Sequence, residues 1–72
     1  MKVLIKMPLQ LCCTILERCE KVGPEYQHFA RSTVFEDEVT FPCEDNDAAK
    51  FVRWADFFAP GTGPQIQIIS SV

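Results

Sequence analysis

At 72 residues, with 47% of them hydrophobic and 24% charged, the chain suffices for one small domain and is too rich in apolar residues to stay disordered. Its apolar runs fall far short of the roughly 20 residues a helix needs to cross a bilayer. The net charge of −3 is unevenly spread, which argues against a nucleic-acid binder with its continuous basic footprint.

From the start of the chain, Lys2 to Met7 reads as a strand, with Val3, Ile5 and Met7 on one face and Lys2, Leu4 and Lys6 on the other. The opening MKVLIKMPLQ lacks the unbroken apolar stretch and small-residue cleavage site of a secretory signal, so a cytoplasmic protein is expected. Pro8 suits the first turn of a helix, because the amide it lacks is unpaired there in any case. Leu9, Cys12, Ile15, Leu16, Cys19 and Val22 then recur at spacings of three and four, predicting an amphipathic helix over Leu9 to Val22 that ends at Gly23 and Pro24.

Glu25 to Gln27 reads as a short connector. His28 to Cys43 reads as a hairpin that turns at the polar residues Glu36 to Glu38. Its second arm alternates clearly, with Val39, Phe41 and Cys43 set against Glu38, Thr40 and Pro42. Val34 and Phe35 are neighbours in the first arm, so only one of them faces inward.

The segment EDNDAAKFVRWADFFAP, from Glu44 to Pro60, is the clearest helix. Asp45, Asn46 and Asp47 supply capping oxygens at its start, and Pro60 with Gly61 stops it. Ala48, Phe51, Val52, Ala55 and Ala59 form one stripe, with Phe58 at its margin. Trp54 sits at the flank and Phe57 nearly opposite, so two large aromatics are left where a core does not account for them. After a Gly-rich turn, Gln65 to Val72 reads as a last strand in which Ile66 and Ile68 face the core.

The order strand, helix, strand, strand, helix, strand is the split βαβ or ferredoxin-like one. It implies an α+β domain with two helices on one face of a four-stranded antiparallel sheet, the first and third strands being central. The expected core comprises Val3, Ile5, Cys12, Ile15, Leu16, Cys19, Val39, Phe41, Phe51, Val52, Ala55, Ile66 and Ile68.

The residues that carry chemistry are few. Cys12, Cys13, Cys19 and Cys43 lack the spacing of a disulfide framework and are expected as free thiols in a reducing compartment. Cys12 and Cys13, adjacent on a helix, point about 100° apart, a poor start for chelation. The run Glu44 to Asp47 lacks the glycine and distal glutamate of a calcium loop. Gly61 to Gly63 precedes a strand, not a helix, and so is no phosphate cradle. His28, the one histidine, has no nucleophile at a recognisable spacing. No enzyme activity, metal or cofactor is therefore expected.

What remains is a contact surface. Between Ser32 and Ala49 lie six acids, namely Glu36, Asp37, Glu38, Glu44, Asp45 and Asp47, with no Lys or Arg. The seven basic residues and four other acids lie outside, leaving that segment at −6 and the remainder at +3. Such a charge layout suits a partner protein with a basic, nucleic-acid-binding surface, and contact is expected through Lys50, Arg53, Trp54 and Phe57 together with these six acids. A small inhibitor or regulator, of the kind phages and mobile elements direct against host nucleic-acid machinery (anti-CRISPR or anti-restriction proteins), is the leading expectation. A ligand-sensing or RNA-associated domain is the alternative. The last strand, with an edge that carries no Lys, is a candidate for homodimer pairing.

Overall fold

The computed structural model describes residues 1–21 and 23–70. Val22, assigned above to the first helix, and Ser71 and Val72, assigned to the last strand, lie outside the described residues. The elements are β1 (Lys2–Pro8), α1 (Leu9–Arg18), α2 (Pro24–Gln27), a 3-10 turn (His28–Arg31), β2 (Thr33–Phe35), β3 (Glu38–Glu44), α3 (Asp45–Phe58), a second 3-10 turn (Gly63–Gln65) and β4 (Gln67–Ser70). The fold is α+β. Its antiparallel sheet runs β2-β3-β1-β4, with β1 and β3 in the middle. Among the described residues there are three α-helices where two were expected.

Alternation along the central strands sets the layers. Val3, Ile5, Met7, Val39, Phe41 and Cys43 are buried and cluster with Leu11, Cys12, Ile15 and Cys19 from the α1 segment and with Ala48, Phe51 and Ala55 from α3. The helices therefore cover one face of the sheet, and the odd-numbered residues of β1 and β3 point into the interface. The other face carries the intervening residues of each strand.

Five local expectations are corrected. First, α1 stops at Arg18, four residues before Val22. The Cys19 amide closes the last turn on the Ile15 carbonyl (3.0 Å), and Glu20 and Lys21 both adopt φ of 58°. Two successive left-handed residues cannot continue a right-handed helix. Second, residues 24–31 are helical, not a connector leading into a strand. This backbone docks Phe29 on Phe41 and Phe51 (centroids 5.9 and 5.6 Å) and lays His28 flat on Phe41 (5.3 Å, 14°). The hairpin's first arm is only Thr33–Phe35. Third, α3 has Glu44 at its N-cap and no side-chain cap; instead the Asp45 amide donates to the Met1 carbonyl (2.9 Å). Asp45 and Asp47 then act on the positive end of the helix dipole without capping it.

Fourth, Gly63–Gln65 forms a 3-10 turn, so β4 begins at Gln67. Fifth, Ile68 is 47% exposed although it pairs with Ile5 and shares its face. The helical layer does not reach the outer edge of the sheet there, whereas Ile66, just before β4, is buried. Leu16 and Val52 pack against the core without being fully buried.

The hairpin resolves the ambiguity in its first arm. Val34 pairs with Val39, on the helix side, and Phe35 pairs with Glu38, on the open side. Both remain exposed because β2 is a short edge strand. The two-residue loop Glu36–Asp37 has positive φ at both positions (49° and 67°), as a turn matched to strand twist requires. Since β2 reaches β3 only as far as Thr40, β3 beyond it has β1 as its one neighbour. Pro42 sits in that half-edge stretch, where a missing amide is tolerated.

Candidate partner-binding surface

Helix α3 presents opposite faces to opposite environments. Phe51 and Ala55 are fully buried, while Phe57, two residues beyond Ala55 and so about 200° around the helix, is 79% exposed. At 100° per residue Asn46, Lys50, Arg53 and Phe57 fall on a single outer stripe, and all four are exposed. Among the described residues, the aromatic ring against Phe57 is that of its neighbour Phe58 (5.1 Å, 88°). A large exposed aromatic flanked by two cations on a well-anchored helix has the make-up of an interface anchor.

Trp54 stands differently from its expected partner. It is half-buried and contacts Phe51 (5.5 Å), Phe29 (6.3 Å) and Phe58 (5.3 Å). It closes the edge of an aromatic cluster and offers a surface only one of its sides. The Arg18 guanidinium reaches across from α1 to the Phe58 carbonyl (3.2 Å), which places a cation at the negative end of α3 and fixes the position of that end.

The six acids separate into two groups. Glu36, Asp37 and Glu38 lie at the hairpin tip, and Glu44, Asp45 and Asp47 lie where β3 passes into α3. The seven residues of β3, at about 3.3 Å each, put about 20 Å between them. Glu38 is engaged by Lys6 (3.3 Å), and the Asp37 carbonyl accepts the Leu9 amide (2.8 Å). The single acidic patch that adjacency in sequence suggested is thus divided. Only Glu44, Asp45 and Asp47 continue into the stripe that bears Lys50, Arg53 and Phe57.

Two residues that the sequence did not assign to the contact surface adjoin this group. Glu25 and His28, with Pro24, face Asp47 and Lys50 across a shallow depression between α2 and the first half of α3. The signal that could have found them is the spacing of Tyr26 and Phe29, three apart, which suits one side of a short helix.

All four cysteines are free thiols, with Cys12, Cys19 and Cys43 buried and Cys13 exposed. Burial, then the neighbouring Cys13 and Cys19, pushes the Cys12 thiol up to about 11. Burial, followed by the carboxylates of Asp47, Glu44 and Asp45, also raises Cys43. Neither thiol ionises at neutral pH, so neither is primed as a nucleophile or ligand. Among the described residues there is no group of three or more His, Cys, Asp or Glu placed to hold a metal ion, and no helix is long and apolar enough to cross a membrane. The chain matches no family model, and no curated protein or solved structure matches it.

Proposed function

We propose that the chain is a small, cytoplasmic protein-interaction module of the ferredoxin-like split βαβ type, acting as an inhibitor or regulator of a partner protein. The strand order β2-β3-β1-β4 with the helices on one face supports that fold reading. The observation that carries the functional reading is the exposure of Phe57 at 79% on a helix whose opposite face is fixed in the core. An exposed phenyl ring held rigidly loses little conformational entropy on binding and buries a large apolar area.

The partner surface takes Phe57 in an apolar pocket and meets Lys50 and Arg53 beside it. Basic groups on the partner meet Glu44, Asp45 and Asp47 at the start of the helix. Those acids steer the encounter more than they hold the complex, so the association rate falls with added salt. Glu36, Asp37 and Glu38 are not part of this contact, and Trp54 supports it from the core side. No catalytic role is proposed for any residue.

The experiment is a capture from bacterial lysate with two baits, the wild-type chain and Phe57→Ala, matched for folded content by circular dichroism. The reading expects a protein retained by the wild-type chain and lost from the variant, with retention weakening as salt rises. Identical retained sets on the two baits would remove Phe57 from the contact and this reading with it.

A further inference from the structure

We propose that the open face of the sheet, turned away from the helices, docks a second copy of this chain about a two-fold axis running parallel to the strands between β1 and β3. This face shares Glu44 alone with the surface proposed above, and Lys2 and Leu4, which lie outside that surface, test the inference independently of it.

The register assembles the face row by row, since residues directly opposite in an antiparallel pair share a side. Lys2 lies beside Glu44; in the next row Leu4 lies between Pro42 and Ile69; in the row after that Lys6 lies beside Thr40. The middle of these rows is an apolar band across three strands, with Leu4 half-buried, Pro42 exposed and Ile69 41% exposed. No described residue from the helices packs on this side. The band gives area that leaves water on docking, and the flanking charges decide what docks and how.

The charges are self-complementary. One row carries both signs, with Lys2 on β1 level with Glu44 on β3. A two-fold axis parallel to the strands lays β1 of one copy over β3 of the other while keeping each row level with itself. Lys2 of each copy then meets the second copy's Glu44, twice over, and Leu4 meets the second copy's Pro42. A two-fold axis in the plane but perpendicular to the strands reverses the rows and sets Glu44 over the second copy's Glu38, a like-charge contact. The pattern therefore selects one orientation, and it selects a copy of the same chain because a surface carrying both signs in one row is complementary to itself. Aligned packing of two sheet faces is a common way to cover an open antiparallel sheet.

Sedimentation of the purified full chain over a range of concentrations tests this. The wild-type chain is expected to form a reversible dimer. Lys2→Glu alone, or Glu44→Lys alone, places like charges across the interface and should raise the dissociation constant by about tenfold or more. Combining the two restores opposite charges in both symmetry-related contacts and should recover dimerisation. Leu4→Lys in the apolar band should give a monomer, with circular dichroism verifying that each variant keeps its fold. If Glu44→Lys disturbs the start of α3, Lys2→Glu and Leu4→Lys carry the test without it. A wild-type chain that is monomeric throughout overturns the proposal. So does a dimer indifferent to Lys2→Glu and Leu4→Lys, because such a dimer is built on another surface, for instance the outer edge of β4.

Discussion

Truncating Phe51 and Phe57, six residues apart on the same helix, should separate folding from binding. Phe51 is fully buried and its ring meets those of Phe41 (5.0 Å), Trp54 (5.5 Å), Phe29 (5.6 Å) and His28 (6.0 Å). Phe51→Ala removes the hub of this cluster and leaves a cavity that the surrounding rings, each held by other partners, cannot fill. The cost is about 3 to 5 kcal/mol. A chain of this length has a total stability of about 4 to 11 kcal/mol, so the variant should lose from about a quarter of it to all of it. Phe57, at 79% exposure and with Phe58 as its one ring contact, stands to lose no more than about 0.5 kcal/mol on truncation. Urea titrations followed by circular dichroism would measure both. The midpoint of Phe57→Ala should sit close to that of the wild-type chain, and that of Phe51→Ala far below it. Equal losses for the two variants would mean that Phe57 is a core residue and that the contact surface on α3 has been misassigned.

Three further outcomes are expected. The turn residues Glu36 and Asp37, held at positive φ, are side chains for which that region costs about 1 to 2 kcal/mol; Glu36→Asn with Asp37→Gly should therefore raise stability by about 1 kcal/mol. For a domain of this size that is a rise in melting temperature of about 4 to 8 °C, and a fall would contradict the turn geometry. Native-state alkylation followed by intact-mass measurement should label Cys13 alone within minutes, and all four thiols only after unfolding, given their burial. The Cys12 thiol, raised from 9.0 to about 11 in the folded state, contributes stability that is whole below pH 9 and fades as pH climbs toward 11, because the unfolded chain gives up that proton first. A stability profile from pH 8 to 11 should therefore fall, and Cys12→Ala should flatten it; an unchanged slope in the variant would assign the alkaline loss to other groups.

The parts of this fold that were legible in the sequence are those where a side chain's direction settles the question. The apolar stripe of α3 identified Phe51 and Ala55 as buried and Phe57 as facing out, because period and exposure coincide on a helix laid across a sheet. The same holds for Val3, Ile5, Val39 and Phe41 on the two central strands, which have neighbours on both sides. The pattern failed where burial depends on how far the covering layer extends. Ile68 faces the helix side, as alternation requires, yet stands at 47% exposure because it lies on an edge strand past the reach of the helices. Backbone conformation misled at another place: Glu20 and Lys21 take the left-handed region usually left to glycine, so the nearest sequence stop signal, Gly23, lay beyond the true end of α1.

The candidate site shows the same physics at longer range. Glu36 to Glu38 and Glu44 to Asp47 are separated by only five residues in the chain, which suggests one charged patch, but those residues are extended. A strand converts sequence separation into distance more than twice as fast as a helix does, about 3.3 Å per residue against about 1.5 Å. Lys50, Arg53 and Phe57 span more of the sequence than β3 separates in the acids, yet they line up within about 10 Å because a helix winds them onto one side. A charge cluster read along a sequence is therefore a cluster in space only where the chain between its members is helical or turns back. Here the acids that belong with Phe57 are the three adjoining α3, and the remaining three serve the hairpin and its bridge to Lys6.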